Sequence, residues 1–521
     1  MAVINVEKKK LEKMCGHSEK KIIDCLTNIG MPIEGGEAGI IEVEITPDRP
    51  DLFCIEGLSR AIRAYYDKEN NEYSAKPSKY SIAVSPKTRK VRPAISAAVV
   101  KGLKITEEVL VDLMQMQEKL HTTVGRKRRK MAIGIHDLDK LEGEMEYFVS
   151  SGKERFVPLE MEGEMGVGEV LEKHEKGRAF AHLVGEDAVL IKDEKGVFSF
   201  PPIINGERTR VTTETRNVLI ESTGTCDETV KKAVNIIATA LSDKGGEVYE
   251  VKVGDEKHPD FSYGKVKMEL SEANRVLGLN LSEKEASKAL LKMGIKVKGG
   301  YALVPPYRAD VISFTDILED IAIGYGYENL EPTFPEVCTT GSGLDSKEPI
   351  HDALVGMGFL EIKTYILTNM EKLEATCRNT DVLMIENSAS EEFTCLRTSL
   401  IPGLLGCFAN NKMKGLPQLF YELGRVYQKK EESRLCFGVM MDGASITDVQ
   451  PYLQTLLREL GKEFELKAES DPCFIGGRCA KVIIGGKDCG VIGAIHPATL
   501  EKFNTGHAIA LCELDVEALI K

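Results

Sequence analysis

The stretch that organises this chain is VPPYRADVISFTDILEDIAIGYGY, residues 304–327. Two consecutive prolines end whatever strand precedes them. Ser313 then lies three residues before Asp316, a spacing typical of a helix start. Apolar residues recur at helical spacing along one face, and Gly324 and Gly326 end the pattern. The sequence therefore predicts a short amphipathic helix that begins after Ser313.

Carboxylates cluster on and before this predicted helix. Asp316, Glu319 and Asp320 are three and four residues apart, so they share a face, and Asp310 lies just upstream. Unpaired acids this close repel one another, and Mg²⁺, which prefers carboxylate and water oxygens, would relieve the repulsion. A solvated acidic face, with Asp316 stabilising the helix N-terminus, explains the same spacing. The residues alone leave both interpretations open.

The unit that carries this helix occurs twice. A Ser-Glu pair, a leucine and a glycine recur at a constant offset of 264 residues, and an Arg-x-Asp step follows in both copies. The matched positions are Ser18, Glu19, Leu26, Gly30, Arg49 and Asp51, then Ser282, Glu283, Leu290, Gly294, Arg308 and Asp310. Each copy is predicted as a helix, a strand, a turn and a helix, with one polar helix over residues 11–30. The first copy has Gly57, Arg60 and Ala61 near the positions of the acids, so it is interpreted as scaffold.

Length and charge limit the possible functions. A chain of 521 residues is too long for one core and predicts three to five domains. A net charge of −13 argues against a general nucleic-acid coat, so any RNA contact requires a local basic patch. The run Arg126–Lys130 is the best candidate for such a patch, and a solvated charged loop is the alternative.

Several kinds of site and segment are not expected. The sequence has no apolar run of signal-peptide or membrane-spanning length, which indicates a cytoplasmic protein without membrane contact. Its 13 cysteines include no Cys-x-x-Cys pair and are expected to be reduced thiols. It also lacks a Walker loop, so no nucleotide site is predicted.

The Arg-x-Asp step and the acidic helix resemble a signature of the phenylalanyl-tRNA synthetase beta-subunit family, in its archaeal and eukaryotic branch. Other stretches along the whole chain resemble the same family, in the same order. They are ITPDRPDLFCIEGLSRAIRAY (Ile45–Tyr65), GRKRRKMAIGIHDLDKL (Gly125–Leu141), PPIING (Pro201–Gly206), LIESTGT (Leu219–Thr225), LRTSLIPGLL (Leu396–Leu405) and YELGRVY (Tyr421–Tyr427).

The resemblance implies an α+β multidomain fold. Its expected parts are a small α/β unit (1–85), a mixed α/β editing domain (86–262), a second small unit with the acidic helix (263–335), and an antiparallel-sheet domain of the class II synthetase type (336–521). In this family the acids equivalent to Asp310, Asp316, Glu319 and Asp320 help to hold a Mg²⁺ ion shared with an alpha subunit. The resemblance therefore favours the metal interpretation of the acidic helix.

The resemblance also implies that the middle domain hydrolyses tyrosine wrongly attached to phenylalanine tRNA. A pocket that excludes tyrosine from the synthetic site discriminates against one hydroxyl by only about a hundredfold, so a second, hydrolytic site is needed. Polar residues beside two predicted strands are the candidates, although each also suits a turn or a helix cap. They are Asn205, Glu221, Thr223, Thr225 and Asp227. Cys226 departs from the Thr-Gly-Thr-Asp run that the family often shows.

The last domain lacks the groups that amino-acid activation requires. Residues 421–424 resemble the class II motif that binds ATP, but no arginine stands two residues before Glu422, and no Gly-x-Gly-x-x-x-Arg follows. Without these cations adenylate formation has no transition-state stabilisation. The resemblance thus implies an inactive catalytic fold, with ATP and phenylalanine bound by an alpha subunit in an assembly of two alpha and two beta chains. The rival hypotheses are a stand-alone hydrolase that edits in trans and a nucleic-acid-binding regulator.

Overall fold

The computed structural model describes residues 2–36, 39–67, 71–334, 341 and 346–520. They fall into two compact units, residues 1–334 and 335–521. The predicted linker prolines are Pro332, which is described, and Pro335, which lies outside the described residues. None of the described helices is both long and apolar enough to span a membrane. At the coarse level the prediction is confirmed, since the chain is a mixed α/β protein with several sheets.

The first copy of the repeated unit is a three-stranded antiparallel sheet covered by three helices. Its elements are β1 (Ala2–Glu7), α1 (Lys8–Cys15), α2 (Glu19–Asn28), β2 (Ile33–Gly35), β3 (Ile40–Ile45) and α3 (Ile55–Asp67), with strand order β1-β3-β2. The polar helix predicted over residues 11–30 is divided into two helices. Gly16 adopts a left-handed backbone (φ 74°) that ends α1, and α2 starts after Ser18.

The middle segment, from Ser81 to His258, contains two sheets that face each other. Its strands are β4 (Ser81–Val84), β5 (Ala94–Lys101), β6 (Met131–Asp137), β7 (Met145–Val149), β8 (Arg155–Phe156), β9 (Met165–Gly166), β10 (Val189–Asp193), β11 (Gly196–Phe200), β12 (Ile204–Asn205), β13 (Val218–Gly224), β14 (Glu247–Tyr249), β15 (Val251–Val253) and β16 (Glu256–His258). Its helices are α4 (Thr88–Val91), α5 (Glu107–Thr122), α6 (Val167–Lys173), α7 (Glu175–Phe180) and α8 (Asp227–Asp243).

Side-chain alternation on β13 explains how these sheets pack. One sheet has the order β12-β11-β10-β7-β4-β15-β16 and the other β14-β5-β13-β6. Leu219 packs into the core shared by the two sheets, whereas Val218 and Ile220 pack into the core that contains α8. Because side chains on a strand alternate between faces, Glu221 points the same way as Leu219, toward the seven-stranded sheet.

The second copy has the same order of elements and the same sheet topology as the first. It comprises β17 (Gly264–Lys267), α9 (Leu270–Leu277), α10 (Glu283–Lys292), β18 (Lys296–Lys298), β19 (Tyr301–Val304) and α11 (Phe314–Tyr325), with strand order β17-β19-β18. Both copies therefore have an opening strand, a further helix and a further strand in addition to the predicted elements. The predicted start of α11 is confirmed, because Ser313 and Asp316 form a capping box.

The two copies and the middle segment meet at one buried arginine. The guanidinium of Arg60, on α3, lies 4.1 Å from the centre of the Tyr307 ring in the second copy. The same guanidinium donates to Asp243, the last residue of α8, at 2.5 Å. One residue thus joins α3 to the end of the middle segment and to the turn before α11.

The second unit is built on a seven-stranded sheet with helices on both faces. Its strands are β20 (Leu360–Glu361), β21 (Leu367–Thr368), β22 (Cys395–Leu396), β23 (Gln418–Tyr427), β24 (Glu431–Met441), β25 (Phe464–Ala468), β26 (Phe474–Ile484), β27 (Lys487–Ile495) and β28 (Ala508–Asp515). Its helices are α12 (Glu348–Gly356), α13 (Met370–Ala375), α14 (Ile401–Asn410), α15 (Ile446–Glu459), α16 (Pro497–Phe503) and α17 (Val516–Ile520). The sheet order is β20-β23-β24-β28-β27-β26-β25, antiparallel except where β20 joins β23.

Candidate functional site

A cavity of about 180 Å³ lies between α5, β6 and the segment that includes β11 and β12. Most of its wall is apolar, contributed by Leu110, Leu113, Met114, Ile133, Ile135, Phe200, Pro201, Pro202, Ile203 and Ile204. An apolar cavity of roughly 150 Å³ is large enough to hold benzene. The space therefore suits a single aromatic ring.

Polar groups from three strands line part of this cavity. Glu221, on β13, is 2% exposed, and its Oε1 accepts a hydrogen bond from the hydroxyl of Ser199 on β11 at 2.9 Å. Asn205, on β12, pairs directly with Ser199 across the strand ladder. The second carboxylate oxygen of Glu221, Oε2, is buried without a hydrogen-bond partner. Since an unsatisfied buried polar group costs about 1–3 kcal/mol, this oxygen favours a ligand that donates to it.

His136, on β6, presents a second unsatisfied atom beside Glu221. Its Nδ1 is hydrogen-bonded to the hydroxyl of Thr209 at 2.9 Å, whereas its Nε2 is buried and has no partner. That Nε2 lies 3.8 Å from Oε1 of Glu221, which is too long for a hydrogen bond. The imidazole is thus fixed at one nitrogen and available at the other.

Gly134 leaves the space in which these groups converge. It pairs directly with Glu221 between β6 and β13. A methyl group on Gly134 would lie within 3.0 Å of Glu221 Oε1, His136 Nε2 and Asn205 Oδ1. The absence of a side chain therefore allows these three polar atoms to converge beside the backbone of β6.

The structure brings together only two of the five predicted editing residues. Asn205 and Glu221 line the cavity. Thr223 is buried farther along β13, where its hydroxyl accepts from Arg92 Nε at 2.9 Å. Thr225 is exposed, and its N–H donates to the carbonyl of Lys130. Asp227 begins α8 and pairs with Lys231 at 2.7 Å.

Sequence reasoning missed His136, Ser199 and Gly134. A signal was present in AIGIHD, because Gly134 and His136 share one face of an otherwise apolar strand. Ser199 had no such signal, since its partner Glu221 belongs to the opposite sheet.

The acids around α11 are divided between two roles. Arg308 Nη2 donates to Asp310 at 2.6 Å and to Asp320 at 2.8 Å, and all three side chains are largely buried. Burial alone would raise the pKa of the Asp310 carboxyl, but the Arg308 guanidinium outweighs burial and holds that pKa below its usual range. These two carboxylates therefore share one guanidinium within the chain.

The other two acids of the group are not part of that ion pair. Asp316 Oδ2 accepts the N–H groups of Ile312 and Ser313 at 2.8 and 2.7 Å, and Glu319 is exposed. Among the described residues, no group of three or more His, Cys, Asp or Glu side chains is arranged to hold a metal ion. As placed in this chain, the four acids do not fit a single four-carboxylate magnesium site.

The chain is similar to known proteins along its whole length. The phenylalanine–tRNA ligase beta subunit of Archaeoglobus fulgidus is 37% identical over 543 residues, covering 99% of this chain and 98% of that protein. The chain belongs to the phenylalanine–tRNA ligase beta-subunit family. It is therefore a subunit of an aminoacyl-tRNA ligase.

Further comparisons with the beta-subunit family span the chain. The beta subunit of Methanosarcina barkeri is 37% identical, with 100% of this chain and 99% of that protein covered. Family models match at residues 87–242 (B3/4 domain), 266–327 (tRNA synthetase B5 domain) and 330–516 (phenylalanyl tRNA synthetase beta chain CLM domain). An N-terminal fragment of the Pyrococcus horikoshii phenylalanyl-tRNA synthetase beta subunit superposes with a TM-score of 0.59 at 35% identity, covering 62% of this chain and 99% of the fragment.

In this beta subunit, the glutamate of the ATP-motif-like stretch has a structural partner. Glu422 is fully buried on β23 and forms an ion pair with Arg397 Nη1 at 2.7 Å. It also accepts the hydroxyl of Thr364 at 2.6 Å, while Arg397 Nε donates to a backbone carbonyl. The arginine that reaches Glu422 thus comes from a distant segment and is occupied in holding the fold.

Proposed function

We propose that the cavity beside Glu221 hydrolyses tyrosine esters of phenylalanine tRNA. The observation that supports this most directly is the pair of unsatisfied buried atoms, Glu221 Oε2 and His136 Nε2, beside an apolar cavity of aromatic size. A phenol ring fills such a cavity, and its hydroxyl satisfies both atoms. Glu221 Oε2 accepts a hydrogen bond from the phenol hydroxyl. The His136 imidazole adopts the tautomer in which Nε2 carries the proton and donates to the oxygen of the same hydroxyl.

This arrangement separates tyrosine from phenylalanine in the required direction. A site built to hydrogen-bond a hydroxyl rejects the analogue that lacks it by about 10⁴–10⁵, because its polar groups are left unpaired. Phenylalanine in the cavity leaves Glu221 and His136 unsatisfied, whereas tyrosine does not. Phenylalanyl-tRNA therefore escapes hydrolysis, whereas tyrosyl-tRNA is bound at the site and hydrolysed.

The rest of the activity belongs to an assembly. The relatives are named beta subunits, and we propose that this chain likewise acts with an alpha subunit, as two alpha and two beta chains, on phenylalanine tRNA. In this assembly the alpha subunit binds ATP and phenylalanine. The engagement of Arg397 by Glu422 supports this division, because the arginine that reaches the ATP-motif-like stretch is held in an ion pair and is not free to bind a phosphate.

A magnesium ion shared with the alpha subunit remains part of this proposal, in a reduced form. Arg308 already engages Asp310 and Asp320, so this chain's outward ligands are the exposed Glu319 and, beside it, Asp316. In the proposal the two buried acids act through Arg308, which fixes the turn before α11.

Two substitutions test the editing proposal in the assembled ligase. Gly134→Ala places a methyl group where the three polar atoms converge. Glu221→Gln removes the charged carboxylate that accepts a hydrogen bond from the phenol. Either change lowers tyrosyl-tRNA deacylation by about a hundredfold, because a hydrogen bond to a charged group contributes about 1.5–3 kcal/mol. The measurement is loss of labelled tyrosine from tRNA, with phenylalanine charging followed in parallel.

Glu247→Gln supplies the matched control. Glu247 is an exposed glutamate of β14 in the same sheet as Glu221, paired with Lys76. The Glu247→Gln variant should deacylate tyrosyl-tRNA at the same rate as the unmodified protein. Unaltered deacylation by both Gly134→Ala and Glu221→Gln would place the hydrolytic site elsewhere.

A further inference from the structure

The loop between α5 and β6 has an unusual backbone. Arg126, Lys127 and Arg128 follow one another with φ values of 49°, 53° and 66°. This left-handed region disfavours residues with a Cβ atom and is normally occupied by glycine or asparagine. Three long basic residues therefore stand where the backbone favours other residue types. Their side chains, rather than the turn itself, account for the sequence.

Arg128 ties this loop to the cavity. Its side chain is turned inward, and its Nη1 donates to the carbonyls of Pro202 at 3.2 Å and Ile203 at 2.9 Å, both on the cavity wall. The guanidinium also lies 4.5 Å from the centre of the Phe180 ring. Burial lowers the pKa of Arg128, although Glu118 opposes this effect. The loop is thus fixed at the cavity by its one buried side chain.

The neighbours of Arg128 point outward and are free. Arg126, Lys127 and Arg129 are exposed, and their side chains form no ion pair or hydrogen bond with any residue that the structure describes. Lys176 adds a further cation on the cavity wall, and Arg210, which also lines the cavity, is already paired with Glu207. The nearby acids are largely engaged elsewhere, since Glu118 lies near Arg128 and His121, and Glu207 pairs with Arg210. In a chain with a net charge of −13, this is a local concentration of uncompensated positive charge.

We propose that the basic loop, residues 126–130, binds the backbone phosphates of the single-stranded tRNA end that carries the ester. It thereby holds the ester at the cavity while Glu221 and His136 read the amino acid. The inference rests on the proposed function and adds a separate recognition element to it. Flexible cations that each meet one phosphate give affinity without base specificity, which suits a strand read only at its terminal amino acid.

The test compares two substrates that differ in phosphate. Arg126→Gly with Lys127→Gly removes two charges and replaces them with residues that tolerate the left-handed backbone, so the thermal unfolding temperature should hold or rise. For the assembled ligase, kcat/KM on tyrosyl-tRNA should fall about tenfold, and the slope of log affinity for tRNA against log salt should weaken by about 1.4. Hydrolysis of 3′-O-tyrosyl-adenosine, which has no phosphate, should be unchanged.

Lys252→Ala with Lys257→Ala is the charge-matched control. These residues are on β15 and β16, at the opposite edge of the seven-stranded sheet from β12. The control pair should leave both substrates and the salt slope unaltered. An equal loss on tyrosyl-tRNA and on tyrosyl-adenosine, or no loss on either, would overturn the proposal.

Failure of the proposed function gives a different result. If the unmodified ligase hydrolyses neither tyrosyl substrate, editing at this cavity is wrong, and tRNA binding alone decides the role of the loop. In that case an unchanged salt slope in the Arg126→Gly, Lys127→Gly variant overturns the phosphate contact, and a slope weakened by about 1.4 supports it.

Discussion

At the scale of single residues, Asp316 and Glu319 show how one sequence pattern contains two kinds of chemistry. Both were predicted as metal ligands because the family resemblance, rather than their spacing alone, favoured that interpretation. Asp316 also closes the capping box with Ser313, a role that needs no metal. Glu319 is exposed one turn later in α11, too far from the helix N-terminus to act as a capping residue. The two residues are therefore separable by substitution.

Asp316→Ala should destabilise the chain and Glu319→Gln should not. Loss of a helix-capping side chain costs about 0.5–2 kcal/mol, with or without Mg²⁺. An exposed glutamate contributes little to the free energy of unfolding. If Mg²⁺ bridges to the alpha subunit, Glu319→Gln alone should weaken the Mg²⁺ dependence of subunit association. Denaturant unfolding in EDTA and association measured by sedimentation across a Mg²⁺ series provide the two readouts.

The contrary result is that the Glu319→Gln variant does not differ from the unmodified protein in its association with the alpha subunit at any Mg²⁺ concentration. That result would show that the acidic face is a solvated surface that holds no Mg²⁺. Glu283→Gln, at the start of α10 in the same copy, is a suitable control for the change in charge.

At the scale of elements, the contact between α5 and β6 depends on a histidine. His121, near the end of α5, is 2% exposed, and its Nε2 accepts the N–H of Ile133 on β6 at 2.8 Å. Ile133 also lines the cavity. Protonation of Nε2 would abolish this bond. The charged neighbours that influence His121 are Glu118, Arg128 and Glu221.

The contact should therefore weaken in mild acid. Burial lowers the pKa of His121 below 6.5, so the unfolded chain takes up a proton at a pH where the folded chain does not. The stabilisation is complete above about pH 6.5 and is lost as the pH falls below it. Amide hydrogen exchange at Ile133 should lose protection from pH 7 to pH 5. His121→Gln retains an acceptor that does not titrate, and should flatten that dependence.

His507→Gln tests whether the effect is local. His507 pairs with the exposed Asp442 in the second unit. It should leave exchange at Ile133 unaltered. Equal pH dependence of Ile133 protection with and without His121 would show that another group controls the contact.

At the scale of the whole molecule, this beta subunit contains a large, mostly antiparallel sheet in which the arginine that reaches the ATP-motif-like stretch is already paired. Arg397 is held by Glu422, and no second arginine precedes that glutamate on β23. Pyrophosphate exchange that depends on phenylalanine should stay at background for the isolated chain and appear when the alpha subunit is added. Exchange by the pure chain, free of any second polypeptide, would contradict this division of labour.

The sequence predicted features that depend on neighbours along the chain, and failed where distant strands meet. The capping box at Ser313 and the repeated unit are local patterns, and both are present. Glu221 was selected because it lies in a polar run, but its partners Ser199 and His136 come from other strands. Arg308 was noted only as half of a repeated step. Its role as the counter-ion of Asp320 arises from packing across α11, twelve residues away.

The contact of Arg60 with Tyr307 has a consequence for the newly made chain. About 250 residues separate the two, and a ribosome adds roughly 5–20 residues per second, so synthesis takes roughly 12 to 50 s to supply the ring. Asp243 emerges before Tyr307 and offers Arg60 a carboxylate partner. A nascent chain that stops short of Tyr307 can complete the two facing sheets of the middle segment. The surface of its first copy that the second copy will cover is still exposed. The contact that joins the two copies can therefore form only after the whole middle segment has been synthesised.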